Sequence, residues 1–557
     1  NVQGIGWMFI RALNAYDTPM IVAVVTTFAY LLAITVFIVD VCYAFVDPRI
    51  RIGSQKRQGR AVAHKRGRFG WLHSRSATAA AQQTAASKSG RRFSLALPRI
   101  GLGDIIGGTR RLGSEIRFIA RAMRRYPSAI FGLLIIGGLL AVSVYTVTTI
   151  PYAEAIKLWR GDDNVWSRNP RDALPSWVNY LRINDLPSTM VFSSATNDLI
   201  QITEFDSGGR DVSIPFTFTY DYGDFPQEII LDMTAQYEER GPHITVTWVW
   251  PDGRERELTS FLPNTTETYY VSRDTRLQRR LRSDVPQEML FLDAEGNADG
   301  PVAGTYTLRI DVLHFEPDSD FDVDVTMLGQ VYGLAGTDSQ RRDLMIAVLW
   351  GTPIALAFGL IAAFATSVGG MLVAALGAWY GGMVDRIVQF LTEVNLILPF
   401  FPISLMVFVL YSRSIVTILA VTVALTIFGS SVKTYRATFL QVRTSPYIEA
   451  ARAYGASNWR IVIRYMIPRI VTVLVPKLII LVPSYVFLEA TLAFLGVTDP
   501  YLPTWGKLVV TALSYGVHTN SAHLVIAPLG LLFFTGFAFA MVGTALERIF
   551  EPRLRDM

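Results

Sequence analysis

"SPYIEAARAYGASNWRIVIRYMIPRI", residues 445–470, is too polar to cross a bilayer, yet it stands between two apolar runs. Its residues specify a short helix. Pro446 suits a first helical position, Glu449 complements the positive end of a helix, and Gly455 can end one. The small side chains of Ala450, Ala451 and Ala453 let another protein approach the backbone closely. A short helix held between two membrane helices is suited to transmitting a push. An ordinary amphipathic interfacial helix is the alternative.

Working outward, 51% hydrophobic and 17% charged residues over 557 positions exclude an ordinary soluble protein and place most of the chain in a bilayer. Crossing about 30 Å of hydrocarbon needs roughly twenty apolar residues. Seven candidate spans follow, at 19–46, 127–150, 346–380, 384–411, 414–432, 468–495 and 524–546. The single cysteine, Cys42, excludes an internal disulfide framework, and the six histidines are scattered without zinc-type spacing, so no metal site is expected. The sequence contains no G-x-x-x-x-G-K-[ST] phosphate loop and no Ser-His-Asp or Cys-His arrangement, so neither ATP hydrolysis nor other catalysis is expected of this chain.

Charge orients the spans. Between Arg49 and Arg125 nineteen Lys and Arg face two acids, Asp104 and Glu115, within a tract rich in Ala, Ser, Gly and Gln. Such a tract belongs on the cytoplasmic side and reads as a solvated, disordered linker, with an anionic-lipid or nucleic-acid arm as the alternative. Residues 151–335 then fall outside the cytoplasm. There "HITVTWVW" and "GTYTLRIDV" alternate Ile244, Val246, Trp248, Trp250 and Tyr306, Leu308, Ile310, Val312 against polar neighbours. This period of two, with four similar segments, predicts about seven antiparallel strands and a β-sandwich, a barrel being the alternative. Trp248 and Trp250 read as core rather than ligand-stacking residues. The Asp run at 318, 320, 322 and 324 invites a calcium reading, but alternate residues share one strand face, which favours a solvated polar edge.

Here residues 445–470 resemble the EAA loop of ABC importer permeases, with Glu449, Ala450, Ala451, Gly455 and Pro468 matching, Tyr465 standing where Ile is usual and Ile467 where Leu is usual. "GLAGTDSQRRDLMIAVLW" is similar to the entrance to the second span in permeases of the dipeptide, oligopeptide and nickel group. Gly336, Thr337, Asp338, Arg342 and Asp343 carry that match, while Arg341 replaces the usual Gly. "EATLAFLGVTDPYLPTWGKLV" resembles the group's Glu-x-x-Leu-x-Phe-Leu-Gly and Pro-x-Trp-Gly through Glu489, Leu492, Phe494, Leu495, Gly496, Pro503, Trp505 and Gly506. The resemblance implies a mainly α-helical polytopic membrane protein of the type I ABC importer transmembrane fold, into which the extracytoplasmic β-sandwich is inserted. It also implies two cytoplasmic ABC ATPase subunits carrying ATP and Mg, an extracytoplasmic substrate-binding protein, surrounding membrane lipid and no nucleic acid.

Residues 1–50 resemble the last periplasmic segment and final span of the group's first permease subunit, ending Asp47-Pro48-Arg49-Ile50 much as the chain itself closes with Glu551-Pro552-Arg553-Leu554. The expected organisation is therefore a truncated first half at 1–50, a basic cytoplasmic linker at 51–125, and the second half's first span at 126–150. The extracytoplasmic domain at 151–335 and a five-span permease core at 336–557 complete it, in the cell's inner membrane. Asp40, Glu393 and Glu489 lie in or near apolar spans, where an ionisable group is costly and faces protein or water. Anchoring is the favoured reading for Asp40, and for Glu489 over a pathway role; Glu393 with Asn395 is the better candidate for a substrate pathway, on a helix that Pro399 and Pro402 can kink. Peptides are the default substrate implied, with nickel chelates, opines and oligosaccharides as alternatives. A membrane sensor or scaffold that reads ligands with the sandwich is the rival from another class.

Overall fold

Pro127 opens an apolar helix, α1 (Pro127–Thr149), in a computed structural model that describes residues 121–550 except 162–164, 198, 206–208, 294–299 and 514–522, together with scattered positions between 8 and 38. Asp40, Asp47 to Ile50, the linker from 51 to 120 and Glu551 to Leu554 lie outside the described residues. Residues 1–25 and 123–557 form one compact unit and residues 26–122 a second. In the second, Thr35 Oγ1 donates to the Leu31 carbonyl at 2.8 Å.

The elements after α1 follow in chain order. They are α2 (Tyr152–Arg160), nine named strands with α3 (Thr275–Leu281) and α4 (Pro286–Met289) among them, and then the helical core. The core contains α5 (Leu344–Tyr380), α6 (Gly382–Ile397), α7 (Phe400–Leu410), α8 (Ile415–Thr426), α9 (Ser430–Arg443), α10 (Pro446–Ala453), α11 (Asn458–Ile461), α12 (Ile467–Phe494), α13 (Trp505–Thr511) and α14 (His523–Phe550). Among the described residues four helical runs are long and apolar enough to cross a membrane, namely α1, α5, residues 458–494 and α14, or six if each of two bent pairs counts as one span.

The bent pairs correct the expectation of simple spans at 384–411 and 414–432. α6 and α7 meet at 84°, because Pro399 drives Leu398 out of the helical region, to ψ 130°, and cannot itself donate a helical hydrogen bond. α8 and α9 meet at 46°, broken at Gly429, whose ψ is −173°. Of the expected span at 19–46, residues 19–27 are helical. Asp17 Oδ1 accepts the Met20 N–H at 3.2 Å at its start, and Ile21 and Val25 are buried with Ala12 against Val409 of α7.

Between α2 and α5 lies the β domain. One sheet has the order β1-β9-β4-β7 and the other β2-β3-β8-β5-β6, all antiparallel. The strands are β1 (Met190–Ser193), β2 (Gln201–Glu204), β3 (Arg210–Tyr220), β4 (Glu228–Gln236), β5 (His243–Val249), β6 (Glu255–Phe261), β7 (Thr266–Tyr270), β8 (Gly304–His314) and β9 (Asp320–Leu328). Both sheets contribute to a single core, with Phe218, Trp248 and Leu308 from one and Leu231, Val325 and Met327 from the other. That is a sandwich, and the barrel alternative falls. Trp248 is fully buried and donates Nε1–H to the Leu290 carbonyl at 2.9 Å, so it is a core residue.

The polar-edge reading of the Asp run holds at Asp318, Asp320 and Asp322, which are exposed, because β1 pairs with β9 at 324–327 and leaves residues 320–323 paired with β4 alone; Asp324 lies in the half paired on both sides. Asp320 and Asp322 each have a partner of their own: Asp320 lies 3.7 Å from Arg210, and Asp322 accepts from Ser194 at 3.2 Å. Among the described residues no group of three or more His, Cys, Asp or Glu is placed to hold a metal.

The domain's two connections run side by side. Leu174 N–H donates to Gln330 O and Tyr332 N–H to Leu174 O, both at 2.8 Å, and Leu174 bridges Val331. From this stem α5 runs 37 residues, about 55 Å at 1.5 Å per residue, so the sandwich and the α9–α12 connection meet opposite ends of one helix.

Candidate functional site

At the far end of α5 the chain builds the surface anticipated at 445–470. Ser445 precedes the helix, Pro446 occupies its first turn and Glu449 stands in that turn. Ile448 and Ala451 turn inward onto a cluster with Ala374, Ala378, Tyr435, Phe439 and Met466. Glu449, Ala450 and Ala453 face outward. The C-terminus closes with two hydrogen bonds, Ala456 N–H to Ala451 O at 3.0 Å and Gly455 N–H to Arg452 O at 2.9 Å, around Gly455 at φ +77°. This is a Schellman closure, whose pivot residue must be left-handed.

Ser457 then caps α11, its Oγ accepting the Arg460 N–H at 3.4 Å. A π-helical turn over Val462–Met466 follows before α12. Pro468 supplies the reason: it has no N–H for the carbonyl four residues back, so the preceding turn widens.

The outward face surrounds a concavity of about 420 Å³ lined by Tyr447, Ala450, Tyr454, Gly455, Arg460 and Tyr465. Tyr454 is 93% exposed, and Trp459 and Ile463 also stand out from the surface. A small-residue floor with an aromatic rim offers no acid–base or nucleophilic chemistry. It suits a protein knob.

Ties that the sequence did not disclose fix this surface to the bundle. The Arg452 guanidinium lies 4.5 Å over the Trp379 ring near the end of α5, and Arg443 Nη1 donates to Ala378 O at 2.9 Å. Arg436 of α9 grips Asp385 of α6 through two bonds of 2.6 and 2.5 Å. No motif points to these three pairs, because the partners in each are distant in sequence.

At the opposite end of α5, residues 336–343 form a buried knot. Gly336 adopts φ +80°, and a Cβ there would meet Ala173 O at 2.4 Å. Thr337 Oγ1 donates to Pro170 O at 2.7 Å and accepts the Ala173 N–H at 2.9 Å. Asp338, fully buried, accepts the N–H groups of Gln340 and Arg342 at 2.9 Å each and the Arg342 Nε–H at 2.7 Å. The Arg342 guanidinium also stacks 3.9 Å over Trp159. Asp343 caps α5 by accepting the Met345 N–H at 2.8 Å, while burial pushes its carboxyl above the ordinary range. This motif is therefore a clamp joining the sandwich stem to the bundle.

Arg341, where the resembling motif has Gly, sits at φ +66° and donates to Ser167 O at 3.2 Å and Asn169 O at 2.8 Å. Arg341→Gly and Arg341→Ala both lose these bonds, but only glycine relieves the left-handed backbone. The glycine variant should be the more stable of the two by about 1 kcal/mol. Thermal unfolding of the purified proteins in detergent checks the order, and the reverse order would mean that position 341 is not left-handed.

The neighbouring Trp505 is fully buried and donates Nε1–H to Val348 O at 3.2 Å, and Gly506 packs against Ala490 and Ala493 of α12. Lys507 donates to Pro500 O at 2.5 Å and is pushed down to about 8 by burial, with the Arg342 charge adding. Glu489 is buried on α12, where its carboxyl meets the Thr504 hydroxyl and one oxygen has no hydrogen-bond partner. Glu393 is exposed and Asn395 half-buried on α6. No hydrogen bond or ion pair among the described residues joins either of them to Glu489.

Residues 344–556 match the family described as binding-protein-dependent transport system inner membrane component. The chain is 33% identical over 223 residues to the oligopeptide transport system permease protein OppC of Escherichia coli K12, covering 40% of this chain and 72% of that one. It is 28% identical over 222 residues to the glutathione transport system permease protein GsiD of Pectobacterium atrosepticum, covering 40% and 73%.

Proposed function

Since the chain belongs to the family of binding-protein-dependent transport system inner membrane components, and is thus a multi-pass permease subunit of an ABC importer, we propose that it moves peptides into the cytoplasm. The observation that carries the coupling part of this reading is the α10 surface, an exposed pit on a rigidly closed short helix tied to the end of the membrane helix α5. In this reading two cytoplasmic ATPase subunits hold the ATP and Mg and seat a knob against Glu449, Ala450, Gly455 and the aromatic rim. ATP-driven closure of the ATPases pushes α10. The Arg452–Trp379 and Arg443–Ala378 contacts pass the push to α5, and the Asp385–Arg436 pair carries α6 with α9.

The spans then alternate between two packings. The change requires only that ATP favour one of two nearly balanced packings by several kcal/mol. Residues 151–335 lie on the extracytoplasmic side, where a substrate-binding protein delivers its cargo. Peptide as cargo rests on the names of the relatives, so nickel chelates, opines and oligosaccharides are outcomes to be tested. The packing of Ile21 and Val25 on Val409 supports the reading of the first 50 residues as a fused end of a partner half.

The test is affinity purification of the full-length tagged protein from its native membrane in mild detergent, with mass spectrometry of everything retained. Two ATPase chains and a binding protein carrying a peptide are expected. Recovery without ATPases would overturn the coupling role, and a non-peptide ligand would overturn the cargo.

A further inference from the structure

The β domain carries a protrusion whose tip its own fold leaves uncovered. Residues 176–181 form a 3₁₀ turn, after which the chain loops out and returns at Leu186. Asn179 closes the loop at its base, its Nδ2 donating to Leu186 O at 3.0 Å and its Oδ1 accepting the Leu186 N–H at 3.2 Å. The tip therefore has a fixed shape. It consists of Tyr180, Leu181, Arg182 and Ile183, with Tyr180 91%, Leu181 78% and Ile183 103% exposed, while the exposed Asn184 and Asp185 complete the loop on its returning limb, where the Asp185 carbonyl accepts the Gly223 N–H at 3.0 Å. Leu334 and Trp177 flank its base and are themselves exposed, and the Trp177 indole N–H donates to Leu334 O at 3.0 Å. An isolated exposed leucine needs no explanation, but five large apolar side chains on one closed loop and its base do.

The position of the loop says what covers it. Ser176 N–H donates to Gly333 O at 2.9 Å, so the loop grows beside the segment that leads from β9 into α5. Ala335, one residue beyond Leu334, is buried with Leu344 and Ala347 at the start of α5 and with Leu524 at the start of α14. The base of the loop thus lies beside the ends of two membrane helices. Tyr152, at the start of α2 just beyond the end of α1, and Tyr145 within α1 are likewise exposed. Trp and Tyr at the ends of spans sit at the headgroup level, and an Arg among apolar residues can keep its stem in the apolar layer and its charge at the phosphates.

We propose that the Tyr180–Ile183 tip, with Trp177 and Leu334 at its base, is a membrane anchor that seats in the headgroup and upper acyl region of the bilayer. It ties the β domain to the lipid surface on whichever side that domain lies, and so stands independently of the cargo and of the ATPase partners. A narrow tip of mixed aromatic, aliphatic and cationic character matches the bilayer interface, whereas a protein partner calls for a broader, shape-complementary patch.

The test uses the full-length chain with Cys42→Ser as background and single Leu181→Cys, Ile183→Cys or Val191→Cys substitutions, each labelled with bimane. The proteins are reconstituted alone into phosphatidylcholine vesicles with or without brominated acyl chains. Val191 is 64% exposed on β1, outside the closed loop, and serves as the control. Because an interfacial segment lies about 5–10 Å into the headgroup and acyl boundary, bromines should quench the labels at 181 and 183 by about half or more and leave the label at 191 unchanged. Equal emission in both vesicle types at 181 and 183 would overturn the proposal. A blue-shifted label that bromines do not quench would also overturn it, by placing the tip against protein. Both tip positions face outward, so neither substitution removes a core contact.

Discussion

Gly455→Val lowers substrate uptake by about tenfold or more in proteoliposomes reconstituted with the ATPase subunits and binding protein, while ATP hydrolysis continues and the chain still inserts. Position 455 is left-handed at φ +77° with open space where a Cβ would stand, so crowding is not the penalty. The penalty is the backbone conformation, which costs an L residue about 1–2 kcal/mol and more for a β-branched one. The chain escapes by giving up the Schellman closure and re-aiming α10. A loss of about 1.4 kcal/mol in coupling is already a factor of ten. Glu449→Lys acts without touching the fold, because Glu449 is exposed, and should also uncouple hydrolysis from uptake. Normal coupling in both variants would remove α10 from the transmission path.

Asp338→Ala should destabilise the chain by about 3–5 kcal/mol, because it strands the buried Arg342 guanidinium without its counter-ion. It also strips acceptors from the Gln340 and Arg342 N–H groups. The double variant Asp338→Leu with Arg342→Leu should recover much of the loss, since replacing a buried pair with apolar side chains is far milder than breaking it. Unfolding midpoints in detergent read both effects. A single variant as stable as the unaltered chain would mean that the knot at the α5 start is not what clamps the sandwich stem to the bundle.

Local chemistry was legible in the sequence. Alternation at Tyr306, Leu308, Ile310 and Val312 marked a strand whose inward face these residues occupy, and Pro446 and Gly455 marked both ends of α10. What was not legible depended on distant partners. β1, β2 and β6 are short or mostly exposed and lack a clear alternation, so nothing distinguishes them from loop until β9, β3 and β5 pair with them. The regularly spaced acids of β9 fall on the half that pairs with β4 alone, whereas its second half lies between β1 and β4, which nothing in its own spacing announces. Asp338 and Arg342 have the spacing of a surface ion pair. They are buried because Trp159 and the 167–173 segment fold over them.

The motif residues divide along the same line. Glu449, Ala450 and Gly455 are exposed where a partner can reach them, whereas Gly336, Thr337, Asp338 and Arg342 are turned inward. Two equally recognisable blocks therefore have different surroundings, one open to solvent and the other closed within the fold.

The paired stem of the β domain bears on how such a chain is assembled. Leu174 and Val331 are bridge partners although 157 positions apart, so everything between them leaves and returns through one point. A segment whose ends already touch is a cassette: it can be excised and replaced by a tight turn, or grafted onto another permease, without lengthening or redirecting any helix of the recipient. The helical core and the sandwich can accordingly accumulate changes at different rates, held together at the clasp where the cassette is fastened.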